Sequence, residues 1–208
     1  MKRAILWAMV VLAARLLVVG GVLALAGCAP PASRPSYSTL IQDRQPSVER
    51  ARECHQRGLA LIDQDRTSDA EKAFREALSL DPTYAAAHNN LGILLLDHHG
   101  RGYEAAIEFT LAARLAPAAP QPHVNLGRLY EAVQWHPAAI KEYACAWALD
   151  ASDPQALGRL AALSIRTGRA DQDVDAWLKR LAAQSEAEGW RQWAQLQITR
   201  RGSSRESR

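Results

Sequence analysis

The sequence contains little cysteine and few aromatic residues. Of its 208 residues three are cysteines, and Phe, Trp and Tyr together make up 6%. Three cysteines are too few for the disulfide framework that stabilises small secreted domains. No phosphate-binding glycine loop, paired-cysteine motif or Ser/His/Asp arrangement occurs either, so we predict neither an enzyme nor a bound cofactor or metal. A content of 48% hydrophobic and 23% charged residues excludes a wholly disordered or fibrous chain.

An excess of basic charge is absent outside the amino-terminal segment. The formal net charge is +3, from 25 Lys and Arg against 22 Asp and Glu. Lys2, Arg3 and Arg15 are the only charged residues among the first 27. Without that segment 22 basic residues balance 22 acidic ones, so no nucleic-acid partner is expected.

Residues 1–27 have the composition of an export signal. A basic start is followed by an apolar run from Leu16 to Ala26, which ends in small residues. The run is too short to span a membrane, which takes about 20 apolar residues. A start at either Met1 or Met9 fits this pattern.

The residues Leu25-Ala26-Gly27-Cys28 resemble the lipobox of bacterial lipoproteins. The resemblance implies that Cys28 receives palmitate-containing lipid and becomes the mature amino terminus, since a thiolate is the nucleophile in this reaction. Burial of the acyl chains, at ~0.8 kcal/mol per methylene, gives a lasting membrane anchor. Ala29, where inner-membrane lipoproteins usually have Asp, implies a periplasm-facing lipoprotein of the Gram-negative outer membrane. The alternative is an ordinary signal peptide that ends by chance at a cysteine.

Residues 28–46 are predicted to form a tether. They contain four of the ten prolines of the chain, together with several Ser and Thr residues. Such a composition cannot bury a core and favours extended conformations. We therefore expect the folded domain to occupy residues 47–200.

From residue 51 onwards the sequence repeats itself in successive units of equal length, except for one extra residue between Asp97 and Gly102. Each of the first three units pairs a glycine in its first half with an aromatic residue in its second half. These pairs are Gly58 and Phe74, Gly92 and Phe109, and Gly127 and Tyr143. The pattern resembles the tetratricopeptide repeat, a helix–turn–helix unit of about 34 residues.

The resemblance implies an all-α, right-handed superhelix of stacked helix pairs. The expected segments are repeats at 51–84, 85–119 and 120–153, a degenerate repeat at 154–187, a capping helix at 188–200 and a disordered tail at 201–208. Residues of the degenerate repeat at helical positions are Leu157, Leu160, Ala161, Gly168 and Trp177. The apolar stripe of the capping helix comprises Trp190, Trp193 and Leu196.

By the same resemblance, the first helix of each pair lines a concave groove that binds a partner. The residues carried over to this groove are Arg52, His55, Leu59, Ile62, Ala86, Asn89, Asn90, Ile93, Leu96, Gln121, Val124, Asn125 and Arg128. Leucine and isoleucine side chains among them would form an apolar patch suited to an extended peptide or an amphipathic helix: Leu59, Ile62, Ile93 and Leu96. The alternative is that these side chains pack against the next repeat.

Chaperone-binding members of the family clamp a terminal carboxylate with lysine, asparagine and arginine residues. Asn90, Asn125 and Arg159 match that set. The lysine positions are occupied instead by His55, Asn89, Gln121 and Gln155. Binding of chaperone tails is therefore not predicted.

The histidines and the remaining cysteines favour structural roles. His88 and His123 occupy the same place in successive repeats and are predicted to pack, while His98 and His99 lie in the enlarged turn and are expected to be solvated. A metal-dependent hydrolase that uses His98 and His99 is the least favoured alternative. Two other residues, Cys54 and Cys145, lie too far apart along the repeats for a disulfide and are expected to be small buried residues.

Together these features predict a membrane-anchored adaptor of the bacterial cell envelope. Its partner would be an envelope protein or peptide, and the lipid on Cys28 would make its contact with the membrane. Its oligomeric state stays open. Lipid-anchored pilotins, which help the secretins of type IV pili to assemble, share this architecture and are the alternative. Lipoprotein adaptors of murein hydrolases share it as well, and an architectural resemblance does not choose between them.

Overall fold

The computed structural model describes residues 37–168 and 172–206, with side chains described from Gln45 to Gly168 and from Asp173 to Ser203. The predicted export signal, Cys28 and the first part of the tether lie outside the described residues. Within the described ranges the chain forms helices and no strand. The helices are α1 Tyr37–Asp63, α2 Thr67–Leu80, α3 Ala85–Asp97, α4 Gly102–Leu115, α5 Gln121–Ala132, α6 His136–Leu149, α7 Pro154–Arg166, α8 Gln172–Gln184 and α9 Glu188–Glu206.

The chain divides into two compact units, Met1–Gln45 and Pro46–Arg208. Of the first unit the structure describes residues 37–45, which form the start of α1. The second unit holds all four predicted repeats, as the pairs α1–α2, α3–α4, α5–α6 and α7–α8, followed by α9. The all-α helical-repeat superhelix is thus confirmed.

Glycine notches bring the two helices of each of the first three pairs together. A Cβ built on Gly58, Gly92 or Gly127 would lie 2.5–2.6 Å from a ring carbon of the aromatic residue opposite, closer than real contacts allow. The rings in these notches are fully buried: Phe74, Phe109 and Tyr143. Since the burial of a large aromatic side chain contributes about 1.5–3 kcal/mol, each notch is a main packing site of its repeat.

The fourth repeat fills its notch differently. Its notch glycine is Gly158, whose Cβ would lie 2.5 Å from Cε3 of Trp190 on α9. The residue at the usual aromatic position is Val174, which is buried but too small to fill the same space. Gly168, which we predicted at a helical position, lies instead beyond the end of α7, with φ +71°. Glycine suits that site because it adopts positive φ without steric cost.

The enlarged turn of repeat two is attached to repeat one through Glu71 on α2. Glu71 is 7% exposed, and its Oε1 accepts a hydrogen bond of 2.7 Å from Nη1 of Arg101. Its Oε2 lies 3.3 Å from Nδ1 of His99, and its Oε1 also pairs with Arg75. His98 is exposed, as expected of a solvated turn, but the His99 side chain is only 18% exposed. The prediction of solvation is therefore wrong for His99, because the buried carboxylate holds it.

Aspartates fix two of the connections between repeats. Asp81, after α2, accepts hydrogen bonds from the backbone N–H and the hydroxyl of Thr83, at 3.0 and 2.7 Å. Asp150, after α6, does the same with Ser152, at 2.9 and 2.6 Å. The Ser152 hydrogen bonds lower the pKa of the Asp150 carboxyl. Such local bonds compete with helix continuation and stop the second helix.

Two predicted boundaries differ from the structure. Helix α1 begins at Tyr37 rather than at residue 47, so the part of the tether from 37 to 46 is helical. Apart from Pro46, that stretch has no glycine or proline, and several of its residues have good helix propensity. Helix α9 continues to Glu206 rather than ending at residue 200. A hydrogen bond of 2.8 Å from Nε of Arg201 to Oδ1 of Asp175 ties this extension to α8.

None of the helices that the structure describes is both long enough and apolar enough to cross a membrane. Cys54 is buried, Cys145 is half-buried, and neither is part of a disulfide. Burial raises the pKa of the Cys54 thiol. The prediction that both act as small packing residues is consistent with this placement.

Candidate functional site on the first helices

The accessible side of the first helices, α1, α3, α5 and α7, is the candidate site, and we call it the first-helix face. The opposite side of these helices carries the glycine notches and packs against α2, α4, α6 and α9. The side chains on the accessible side therefore take no part in packing the notches. Polar contacts connect the first helices of repeats one, two and three, and two concave pockets lie between the first helices of repeats two, three and four.

A ladder of hydrogen bonds connects the first three of these helices. Nδ2 of Asn90 on α3 is 2.9 Å from Nε2 of His55 on α1. Oδ1 of Asn90 accepts from Nδ2 of Asn89 at 3.3 Å, and Oδ1 of Asn89 accepts from Nδ2 of Asn125 on α5 at 2.9 Å. Four predicted groove residues are thus engaged with one another, which fixes the orientation of the three amides.

His55 occupies the ladder as a neutral imidazole. Its Nε2 accepts from Asn90, so the proton is on Nδ1, which lies 3.2 Å from the Tyr84 hydroxyl oxygen. Burial lowers the pKa of His55, in agreement with the neutral form. The Tyr84 ring also packs edge-on against the imidazole, with centroids 5.0 Å apart.

The first pocket on this face is apolar and lies at the amino-terminal ends of α3 and α5. It has a volume of about 400 Å³. Its walls are formed by Tyr84, Ala85, Ala86, Ala116, Ala119 and Pro122, with Asn89, Asn90 and Gln121 as polar members. We call it the apolar pocket. Its size suits one or two bulky apolar side chains of a partner, with the amides beside it available for a peptide backbone.

The second pocket is charged and lies at the carboxyl-terminal ends of α3, α5 and α7. It has a volume of about 830 Å³. Its charged and titratable residues are Asp97, Arg128, Glu131, His136, Arg159 and Arg166, with Leu96, Ala132 and Gln134 completing the wall. We call it the arginine pocket. Three guanidinium groups face two carboxylates, so its formal charge is positive.

The ion pairs inside the arginine pocket are partly exposed to solvent. Nη2 of Arg128 is 3.2 Å from both carboxylate oxygens of Asp97. Glu131 accepts a hydrogen bond of 3.0 Å from Arg166 and lies 3.7 Å from Nη1 of Arg159. The Tyr143 hydroxyl donates to Glu131 at 3.0 Å. Burial raises the pKa of this hydroxyl, and the neighbouring carboxylate adds to the effect, so the hydroxyl remains a donor.

The predicted apolar patch is less open than expected. Ile62, Ile93 and Leu96 are half-buried and pack against the core that surrounds Phe74 and Phe109. The packing alternative therefore describes these three side chains better. Leu59, by contrast, is 40% exposed.

The remaining predicted groove residues are distributed over the same face. Ala86, Asn89, Asn90 and Gln121 line the apolar pocket, and Arg128 lines the arginine pocket. Arg52 is exposed, while Val124 is half-buried against the core around Tyr143. Arg52, Val124 and Leu59 line neither pocket. Their role in partner binding stays a prediction.

Several residues of the two pockets were not predicted. Arg166 and His136 were missed because they belong to the end of α7 and the start of α6, outside the groove positions of the family. An arginine follows the notch glycine in repeats three and four, as Arg128 and Arg159, but this pattern indicates neither Arg166 nor His136. In the apolar pocket, Tyr84 and Pro122 were missed because they lie at the junctions between repeats. The family's pattern of groove positions on the helices does not extend to these junctions.

The histidines of repeats two and three form a repeated contact between the paired helices. Nδ1 of His88 is 2.6 Å from Oε2 of Glu108, and Nδ1 of His123 is 2.8 Å from Oε2 of Glu142. The hydrogen bond that the Glu108 carboxylate accepts from His88 is the main cause that raises the pKa of His88. These histidines pack, as predicted, but each also carries a carboxylate partner.

His98 and His99 do not converge on one point, because His98 is exposed and His99 lies against Glu71. Among the residues that the structure describes, no group of three His, Cys, Asp or Glu is positioned to hold a metal ion.

One stretch of the chain is similar to a known family. Residues 58–98 match the sequence model of the family described as TPR repeat. No curated protein sequence matches the chain.

Solved structures of TPR proteins share the fold. The first TPR of Spaghetti (RPAP3), bound to the HSP90 peptide SRMEEVD, is 17% identical, with 58% of this chain and 95% of that chain covered and a TM-score of 0.55. The Arabidopsis OM64 TPR domain is 17% identical, with 58% and 98% covered and a TM-score of 0.55. MamA from Desulfovibrio magneticus RS-1 is 20% identical, with 62% and 72% covered and a TM-score of 0.55. At these identities the likeness shows the fold, a helical repeat of the TPR type.

Proposed function

We propose that the chain is a protein-interaction scaffold whose first-helix face holds a peptide or helix of a partner, and that it is not an enzyme. The observation that carries the proposal is the amide ladder of His55, Asn89, Asn90 and Asn125 between two pockets of different chemistry. Fixed amides suit the hydrogen bonds of a peptide backbone, and pockets suit its side chains. The peptide bound to the similar TPR of Spaghetti is a precedent for such a partner.

Site-specific photo-crosslinking in cells tests this proposal. A photoreactive amino acid at the exposed Ala86 or Gln121, beside the apolar pocket, is expected to capture a discrete partner. The same group at the exposed Thr110, on the second helix of repeat two, serves as the matched control and should capture none. Equal crosslinks from both faces, or none from either, would count against the scaffold.

The membrane-anchored form of the scaffold is also a proposal, and it rests on the sequence Leu25-Ala26-Gly27-Cys28. Lipid on Cys28 would hold the repeats at the periplasmic side of the outer membrane. Labelled palmitate should enter the intact chain and should not enter Cys28→Ser, because the thiolate accepts the lipid. Incorporation that is unchanged in Cys28→Ser would contradict the anchor.

The partner class stays open between wall enzymes and pilus secretins. A pilotin-like role is the alternative proposal, supported by the combination of lipobox, tether and helical repeats. Deletion of the gene would then reduce the amount of secretin multimer in the outer membrane, and restoration of the gene should recover it. Normal secretin assembly in the deletion strain would exclude this alternative and leave the scaffold itself untouched.

A further inference from the structure

We infer that the arginine pocket and the turn of repeat three, residues 133–135, together form a docking site for an acidic partner segment that carries an apolar residue. The inference rests on the proposed scaffold function and adds the chemistry of the partner. Two features carry it, an exposed aromatic turn and a set of arginines beside it.

The turn of repeat three differs from the other turns inside repeats. Repeat one has Gln64-Asp65-Arg66 at this place, and the turn of repeat two contains two histidines, a glycine and an arginine. In repeat three Val133 is 64% exposed and Trp135 is 59% exposed. An exposed tryptophan beside an exposed valine is costly in water and is typical of binding hot spots.

Trp135 is held in a defined orientation. Its ring meets Tyr130 edge-on, with centroids 5.2 Å apart, and its backbone N–H donates to the Tyr130 carbonyl at 2.8 Å. The residues on either side of it, Gln134 and His136, line the arginine pocket. The aromatic turn and the charged pocket are therefore continuous.

The arginines retain donors for a ligand. Arg166 is 55% exposed and makes one hydrogen bond, to Glu131, among the described residues. Arg159 lies 3.7 Å from the same carboxylate and also interacts with the Tyr143 hydroxyl. A guanidinium carries five N–H donors, so incoming carboxylates can bind without displacing Glu131.

A peptide fits this surface better than a membrane does. Arginines alternate with the carboxylates Asp97 and Glu131 around a concave space of about 830 Å³. A planar anionic surface gains little from such alternation, whereas single carboxylates spaced along a chain can each reach one guanidinium. Internal Asp and Glu side chains suffice, so the segment needs no free carboxyl terminus.

Fluorescence anisotropy with the full chain in detergent tests the inference. The probe is a labelled peptide of Asp and Glu with a single Leu, blocked at both ends, and the comparison peptide has Lys in place of the acids. Arg166→Gln and Trp135→Ala should each weaken binding of the acidic probe by about tenfold. Two matched variants should leave it within about twofold: Arg66→Gln, since that side chain is 57% exposed in the turn of repeat one, and Tyr103→Ala, which replaces an 82% exposed aromatic. Unchanged circular dichroism of each variant shows that folding is intact.

Three results would overturn the docking site. The first is that the Lys peptide binds with the same affinity as the acidic probe. The second is that Arg66→Gln weakens binding of the acidic probe as much as Arg166→Gln does. The third is that the acidic probe does not bind, whereas phosphatidylglycerol vesicles bind in a manner that depends on Arg166 and Trp135. In each case persistent crosslinks from Ala86 would show that the scaffold stands and only this site fails. Loss of the Ala86 crosslinks together with tight peptide binding would place the failure in the proposed function instead.

Discussion

In repeats one to three the ring that fills the glycine notch comes from the second helix of the same repeat, whereas in repeat four it comes from α9. Phe109 enters the notch of Gly92 from α4, and Trp190 enters the notch of Gly158 from the helix after the repeat. The contact geometry is nearly the same in both cases. The comparison shows that the capping helix α9 completes the last repeat. We therefore expect the last repeat and α9 to unfold together. In a stack where each unit contacts its neighbours only, such an end unit can open without the rest.

Removal of the rings has the largest expected effect. Phe109→Ala should lower the free energy of unfolding by about 4 kcal/mol, because a fully buried ring leaves a cavity in the middle of the stack. Trp190→Ala should cost about 3 kcal/mol, since Trp190 is only half-buried. Urea unfolding measures both, and hydrogen exchange should locate the Trp190→Ala loss in α7, α8 and α9.

A rescue variant sharpens this first prediction. Counted from the notch glycine, Val174 occupies the position in repeat four that Phe74 occupies in repeat one. Val174→Phe should therefore restore part of the stability that Trp190→Ala loses, by filling the notch from within the repeat. If the double variant is less stable than Trp190→Ala alone, the equivalence of the two notches is refuted.

Closing the notches has the second-largest effect. Gly92→Ala would set a Cβ 2.6 Å from Cε1 of Phe109, and overpacking of this kind costs about 1–3 kcal/mol. Gly158→Ala should cost less, because α9 lies at the end of the stack and can shift. Gly102→Ala is the control, since no heavy atom lies within 4 Å of the position that its Cβ would take. Thermal unfolding gives the ranking, and an equal loss at Gly92 and Gly158 would show that α9 is as fixed as α4.

The smallest effect concerns the pH dependence of repeat two. The pKa of His88 is raised, chiefly by Glu108, so the protonated form is favoured in the folded state. This stabilisation is fully present below the ordinary histidine pKa of about 6.5 and is lost as the pH rises through the folded pKa. Repeat four has Pro154 at the equivalent position and lacks the pair.

Glu108→Gln isolates the contribution of this pair. Unfolding in urea should show a loss of about 1 kcal/mol at pH 6 and a smaller loss at pH 9, where less of His88 is protonated. The comparison with Glu108→Gln is needed because His55, whose pKa is lowered by burial, has the opposite pH dependence. A loss that is the same at both pH values would mean that His88 is not charged when paired.

The positions of the repeats could be predicted from the sequence, because the residue types that mark each repeat are set by packing between helices that are close in sequence. A glycine at 58, 92 or 127, followed about half a repeat later by an aromatic residue, predicts two helices in close contact. The extra residue of repeat two was placed correctly in its turn. The ends of α1 and α9 could not be predicted, because composition alone does not show that a proline is tolerated or that Arg201 finds Asp175.

Within the candidate site, the sequence predicted which helix each residue belongs to but not how the side chains are arranged. Asn89, Asn90 and Asn125 were placed on the correct face, but no spacing rule indicates that their amides bond to one another across two helices. Arg166 was missed because the end of α7 reaches the pocket only through the stacking of repeats three and four. Lipidation of Cys28 lies outside the described residues and stays a prediction.

The sequence by itself determined the helices, their pairing and the notches, because these depend on residues that lie within one repeat of one another. Only the tertiary structure decided what lies between repeats: Trp190 in the notch of Gly158, Glu71 beneath the turn of His99, and the arginine pocket. The physical reason is that these contacts depend on how each helix pair stacks on the next, and side chains of different repeats meet only after that stacking is fixed.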